Sequence, residues 1–142
     1  MVSSNHEVSA VPKGVSAWTM PGTFEPARPR ELARRVALVG TYPPTECGIA
    51  TFTANVRAAL LAANPTWDVS VVRLVDEEPF ETVKDVARHW VRNDSSSREE
   101  VIAYLNTCDV VMIEHEFGIF GGPDGDEVLD LVAGLRVPSI AA

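Results

Sequence analysis

Residues 41–53 read Thr-Tyr-Pro-Pro-Thr-Glu-Cys-Gly-Ile-Ala-Thr-Phe-Thr, and this stretch decides the fold. It follows the apolar run 35–40, whose length and β-branched content predict a buried strand. It leads into apolar residues with the spacing of one helical face: Ile49, Phe52, Val56, Leu60 and Ala63. The chain therefore turns from strand to helix here, which directs the N–H groups of a helix N-terminus to the carboxyl edge of a sheet.

Strands and helices alternate along the rest of the chain. Asn64-Pro65 closes the first helix, because proline cannot continue it. Residues 82–91 also fit a helical face, but the alternation within 86–91 and the polar break that follows favour a strand. The further predicted elements are strands over 67–75, 86–91, 109–113 and 137–142, and helices over 97–107 and 126–135. This order predicts an α/β, Rossmann-like open parallel sheet with helices on both faces.

Two details of the later helices are also predicted from the sequence. Ser97 and Glu100 have the spacing of a capping box, so the second helix is expected to begin at Ser97. The inward-facing positions of these helices are expected to be Val101, Ile102 and Leu105 in the second, and Val128, Leu131, Val132 and Leu135 in the third.

Length and composition limit the classes of protein that fit. The 142 residues suffice for one domain, which we assign to 31–142, and residues 1–30 are interpreted as a flexible leader. No stretch has the length of a signal-peptide core or a transmembrane span. A net charge of −8 with no basic stripe argues against a nucleic acid partner. Two distant cysteines suggest neither a disulfide framework nor a zinc site, and a cytoplasmic location is predicted.

The strand-to-helix turn contains no standard phosphate motif. Gly48 is followed by Ile49 rather than by the Lys-Ser/Thr pair of a Walker loop, and the three spaced glycines of a dinucleotide fingerprint are absent. Gly48 in a helix N-terminus permits close approach of an anion, and it equally permits tight packing. The residues alone leave these alternatives open.

A second polar stretch, residues 114–126, follows the strand 109–113 and belongs to the same sheet edge. His115 has a carboxylate on either side, which suits it to proton transfer or to hydrogen-bonding a sugar hydroxyl, and equally to a structural ion pair. Ile119 stands where a metalloprotease helix needs its second histidine. Asp124 and Asp126 form an Asp-x-Asp, but acidic residues in a first helical turn need no metal, so no metal site is predicted.

Tyr42-Pro43-Pro44-x-x-Cys47-Gly48-Ile49-Ala50-Thr51-Phe52, together with His115-Glu116-Phe117-Gly118-Ile119-Phe120-Gly121-Gly122, resembles a bacterial subgroup of glycosyltransferase family 4. These are retaining sugar transferases of the two-domain GT-B architecture. A looser similarity runs from about Arg35 to Ala142. The resemblance implies that the chain is the N-terminal, acceptor-side domain, with a nucleotide-sugar donor and a sugar, lipid or polyol acceptor.

The resemblance also implies roles for individual residues. Catalytic roles are implied for His115 and Glu116, and donor phosphate binding for Gly48 and Ile49. Residues expected to line the acceptor are Tyr42, Phe117, Phe120, Gly121 and Gly122. Neither a metal nor another cofactor is expected, because the helix dipole and basic side chains would stabilise the leaving diphosphate.

The sequence departs from this family where the donor domain should be. Its basic diphosphate-binding residues and its Glu-x7-Glu motif are absent, and the chain is interpreted as a truncated half of a GT-B fold. One cleft wall cannot hold donor and acceptor together, so activity is expected only with a donor domain, either from a separate chain or from a longer reading frame. The alternative is a non-catalytic remnant or binding module of the same fold.

Overall fold

The computed structural model describes residues 35–116 and 118–142, so the predicted leader 1–30 and the predicted acceptor residue Phe117 lie outside the described residues. The described strands are β1 (Arg35–Gly40), β2 (Asp68–Val75), β3 (Val86–Val91), β4 (Val110–Ile113) and β5 (Ser139–Ala141). The helices are α1 (Gly48–Ala63), α2 (Ser95–Leu105) and α3 (Glu127–Gly134), with a 3-10 turn over Pro123–Gly125.

The five strands form one parallel sheet in the order β3-β2-β1-β4-β5. Val36 of β1 aligns with Val69 of β2 on one side and with Val110 of β4 on the other. The direction of strand addition reverses between β1 and β4, and the crevice at such a reversal is where open α/β sheets bind ligands. The predicted Rossmann-like fold is confirmed, including the strand assigned to 86–91.

Alternate residues of the central strand serve two hydrophobic clusters, one on each face of the sheet. Val36 and Leu38 belong to the cluster that packs against α1, with Val69 and Val71. The other cluster packs against α2 and α3, and its members include Ala37, Val39, Val72, Trp90, Val101, Leu105, Val111 and Leu131. Helices therefore cover both faces, as predicted, and the loops at the carboxyl edge are held on a rigid base.

The predicted inward face of α1 was partly wrong. Phe52 is 48% exposed and Ala63 is also exposed, whereas Ala50 and Thr53 are fully buried. A β-carbon added to Gly40 would lie only 3.2 Å from the Thr53 hydroxyl oxygen, so α1 lies very close to the sheet here. Such an approach requires small side chains, and this requirement overrides the apolar periodicity.

The predicted start of α2 was also wrong. The helix begins at Ser95, and the Asp94 carboxylate accepts hydrogen bonds from the backbone N–H groups of Ser96 and Ser97, at 2.9 and 3.2 Å. The Ser97 hydroxyl instead accepts a hydrogen bond from the Val91 N–H, at 2.8 Å, and ties the helix to the end of β3. In α3, Val132 is 47% exposed rather than inward.

Candidate functional site

A cavity of about 430 Å³ lies at the carboxyl edge of the sheet, and we call it the edge cavity. It is lined by Thr41, Thr45, Cys47, Arg73, Leu74, Val75, Asp76, Glu77, Pro79, Arg92, Gly118 and Ile119. The first three belong to the β1–α1 turn, and the last two belong to the segment His115–Gly122. Both stretches singled out in the sequence therefore contribute to one concave surface.

The β1–α1 turn is closed by Cys47, which is the N-cap of α1. Its Sγ accepts a hydrogen bond from the Ala50 N–H at 3.4 Å and lies 3.1 Å from the Thr41 hydroxyl oxygen. The hydrogen bond with Thr41, followed by those from the helix backbone, lowers the pKa of the exposed Cys47 thiol. The helix N-terminus is thus fixed beside the edge cavity.

Gly48 occupies the first position of α1 and is exposed. A β-carbon added to it would meet no described heavy atom within 4 Å. Tight packing within the described chain therefore does not account for a glycine here, which removes one of the two alternatives left open by the sequence. Ile49, the other residue predicted to contact donor phosphate, is half-buried behind it.

Glu114 is the first residue after β4 and is only 2% exposed. Its β-carbon lies 3.1 Å from the position that a β-carbon on Gly40 would occupy, so it packs where β1 and β4 adjoin at the topological reversal. Its Oε1 atom is buried without a hydrogen-bond partner, and burial raises the pKa of the carboxyl group. Sequence reasoning considered this residue only as one of the two carboxylates that flank His115.

His115 and Glu116, the predicted catalytic pair, are both exposed at this edge. The His115 ring stacks on Phe120 with a centroid separation of 6.0 Å, and its backbone N–H donates to the Ala142 carbonyl at 2.8 Å. The charge of Glu116 opposes the lowering of the Cys47 thiol pKa, so the two loops interact electrostatically. Phe120 is 4% exposed and packs on Trp90 at 5.7 Å, so it supports the histidine from the core.

The other predicted acceptor residues make intramolecular contacts. Tyr42 is 7% exposed, and its hydroxyl donates to the Asp85 carboxylate at 3.3 Å. Burial, followed by the Asp85 charge, raises the pKa of the Tyr42 phenol. Gly121 is buried against Glu127, and the Gly122 N–H donates to a side chain in the turn after β3, at 2.7 Å. The role of these residues in acceptor binding stays a prediction.

Two arginines of the edge cavity were missed by sequence reasoning. Arg73 lies on β2 and is 8% exposed, and its Nη2 donates to the Thr45 hydroxyl at 2.9 Å. Arg92 follows β3, pairs with the Asp76 carboxylate and donates to the Gly118 carbonyl at 3.0 Å. The available signal was an arginine inside the apolar strand 68–75, an unusual residue for a buried position.

Residues 35–116 and 118–142 contain neither a cluster of side chains that could hold a metal ion nor a helix that could cross a membrane. In this range no group of three or more His, Cys, Asp or Glu side chains has an arrangement that could hold a metal ion. Among the same residues, no helix has the length and apolar character needed to cross a membrane.

Comparisons with known proteins do not assign the chain to a family. Neither the protein-family models, nor the curated proteins, nor the solved structures include a match to this sequence or fold. The site must therefore be interpreted from its own geometry.

Proposed function

We propose that this chain is the acceptor-side part of a retaining glycosyltransferase that transfers a hexosyl-type sugar from a nucleotide-sugar donor. One observation carries the proposal: a single cavity at the carboxyl edge of a Rossmann-like sheet is lined by residues of the β1–α1 turn, Thr41, Thr45 and Cys47, and by two residues of the loop after β4, Gly118 and Ile119. Ligands of open α/β sheets bind at this edge, close to the topological reversal.

The exposed residues at this edge have chemistry that suits sugar transfer. In this proposal His115 hydrogen-bonds the reacting hydroxyl of the acceptor and handles its proton, with Phe120 fixing the ring plane. Glu116 lies on the same loop, where its carboxylate can accept hydrogen bonds from sugar hydroxyls. No metal is required, because the leaving diphosphate is stabilised by the N-terminus of α1.

The open position of Gly48 supports the donor side of the proposal. A backbone N–H group without a neighbouring side chain lets a diphosphate approach the helix closely. Transfer also requires basic residues opposite this helix, so a donor domain must supply the other wall of the cleft. The chain alone is therefore proposed to bind acceptor without turning it over.

The test is a transfer assay with the chain and the polypeptide encoded directly downstream of it, using labelled nucleotide sugars and a panel of sugar and polyol acceptors. His115→Ala is expected to lower the transfer rate by roughly 100-fold, the usual contribution of a proton-transfer group. His89→Ala is the matched control, because His89 lies on β3, outside the segment 115–122, where its ring pairs with the Glu78 carboxylate.

Melting temperatures of both variants must be measured to separate catalysis from folding. The proposal fails if no nucleotide sugar supports transfer in the mixture. The assignment of His115 as a catalytic residue fails if His115→Ala folds as the wild type does and retains full activity. Glycan binding without any transfer would identify the alternative, a non-catalytic binding module.

A further inference from the structure

Arg73 is a buried cation without a counter-charge among the described residues. It is 8% exposed, and within residues 35–116 and 118–142 its side chain makes one hydrogen bond, to the neutral hydroxyl of Thr45, while its Nε atom is buried without a partner there. The other arginines with restricted exposure pair with carboxylates: Arg57 with Asp85, Arg92 with Asp76, and Arg98 with Glu127 and Asp130.

A charge removed from water without an opposite charge is strongly unfavourable, and proteins ordinarily pair such a group. Arg73 faces the edge cavity rather than a neighbouring carboxylate. A cation in this position becomes favourable when an anion bound in the cavity supplies the missing charge. The arrangement therefore points to a ligand rather than to stability.

The surroundings of Arg73 favour a phosphate group over a carboxylate. Thr41 and Thr45 also line the cavity, and the Thr45 hydroxyl, which accepts from Arg73, still has its own proton to donate to an anion. The two acidic lining residues do not cancel Arg73, because Asp76 is paired with Arg92 and Glu77 is exposed. A volume of about 430 Å³ holds a monosaccharide phosphate.

We propose that Arg73 binds the phosphate group of a phosphorylated sugar or polyol acceptor in the edge cavity. This inference rests on the proposed function and specifies its acceptor class. Gly48 and Ile49, assigned above to donor phosphate, do not line the cavity, so the acceptor phosphate is proposed to bind beside the donor phosphate site rather than in it.

Calorimetric titration of the full chain tests the inference with four probes: a hexose 6-phosphate, the same hexose without phosphate, inorganic phosphate and a nucleoside diphosphate. The hexose phosphate is expected to bind at least about tenfold more tightly than the neutral hexose and than inorganic phosphate. Equal binding of the two hexoses would overturn the inference. Tighter binding of the nucleoside diphosphate would assign Arg73 to the donor instead, which also overturns it.

Three variants separate ligand binding from folding. Arg73→Met keeps the aliphatic stem and removes the charge, so it is expected to abolish the preference for the hexose phosphate. Arg73→Lys keeps the charge but loses the guanidinium fork, and an intermediate, several-fold loss is expected. Arg35→Met is the control, because Arg35 lies at the opposite edge of the sheet and is expected to bind as wild type.

The melting temperature without ligand gives an independent readout. If Arg73 is retained for an anion, Arg73→Met removes an uncompensated charge and raises the melting temperature, and hexose phosphate stabilises only the wild type. If Arg73 serves the fold through Thr45, the same variant lowers the melting temperature, which contradicts the inference.

The failures of the two proposals are distinguishable. Transfer to a neutral acceptor with an unchanged KM in Arg73→Met would leave the glycosyltransferase proposal intact and overturn the phosphate site. Arg73-dependent binding of hexose phosphate without transfer from any nucleotide sugar would establish the phosphate site and overturn the transferase.

Discussion

Arg73 and Glu127 are both buried charged residues, and their surroundings are opposite. Glu127 is 5% exposed, and its carboxylate receives hydrogen bonds from Arg98 at 3.1 Å and from the Asn93 N–H at 3.1 Å. Arg73 is 8% exposed, and its side chain has a single, neutral hydrogen-bond partner in the part of the chain that the structure describes. The two residues are buried to a similar extent but have different roles. Glu127 stabilises the fold, and Arg73 is proposed to bind the phosphate group of a ligand.

Two glycines repeat this contrast. A β-carbon on Gly121 would lie 2.4 Å from a Glu127 carboxylate oxygen and 2.8 Å from the Asn93 nitrogen, so the space around it is filled. A β-carbon on Gly48 would meet nothing within 4 Å. Gly121 is thus closely packed against the paired carboxylate of Glu127, whereas Gly48 in the β1–α1 turn has open space where a side chain would lie.

The largest effect is expected from removing Glu127. Glu127→Ala leaves Arg98 without its buried partner and the Asn93 N–H without its acceptor, and we expect a loss of about 3 kcal/mol in the free energy of unfolding. Asp130→Ala is the matched control, because Asp130 contacts the same arginine from a 65% exposed position. It should cost less than about 0.5 kcal/mol. Urea denaturation measures both.

Comparable losses in the two variants would show that burial does not distinguish these carboxylates. The contrast between Glu127 and Arg73 would then lose its basis, because it assumes that the buried pair contributes to stability and that exposed pairs do not. A stable Glu127→Ala variant would have the same consequence.

The next effect concerns the glycines. Gly121→Ala places a methyl group against a backbone nitrogen that cannot move independently, and we expect it to cost about 2 kcal/mol in the free energy of unfolding. Gly48→Ala should change it by less than about 0.5 kcal/mol, because the added methyl group meets no described atom. Thermal unfolding of the two variants under one buffer condition gives the comparison.

A destabilised Gly48→Ala variant would contradict the open geometry of the β1–α1 turn. In the reconstituted transferase, the same variant also tests whether Gly48 belongs to the donor site. If Gly48 admits a diphosphate, the added methyl group should raise the KM for the nucleotide sugar several-fold while the melting temperature stays unchanged.

The sequence predicted the order of the strands and helices because their patterns are local. The apolar run 35–40, the proline after Asn64 and the alternation in 86–91 each act within a few residues, and the structure has a strand, a helix end and a strand there. The sequence also predicted that the loops after β1 and β4 lie at one edge of the sheet, because the carboxyl ends of parallel strands lie at the same edge.

The sequence could not predict features that depend on distant contacts. Phe52 fits the helical periodicity but is exposed, because the close approach of α1 to the sheet at Gly40 selects Ala50 and Thr53 instead. Arg73 meets the cavity only because the turn after β1 and the loop after β4 close over the end of β2. The partners of Glu127 lie about thirty residues earlier in the chain.

The smallest of these effects is expected at Glu114, whose buried Oε1 atom has no hydrogen-bond partner among the described residues. Burial raises the pKa of its carboxyl group above 4.5, so the folded chain holds this proton more tightly than the unfolded chain. Its contribution to stability is therefore complete below the unfolded pKa and is lost as the pH rises through the folded pKa.

Glu114→Gln cannot ionise, so it should become progressively more stable than the wild type as the pH rises above 4.5, and the advantage should disappear at lower pH. Urea denaturation at a series of pH values measures this difference directly. Glu46→Gln, an exposed substitution in the β1–α1 turn, serves as the control and should show no such trend. If the free energy of unfolding of Glu114→Gln differed from that of the wild type by the same amount at every pH, burial of Glu114 would not be raising the pKa of its carboxyl group. Arg73 alone would then distinguish the carboxyl edge of the sheet from the region around Glu127.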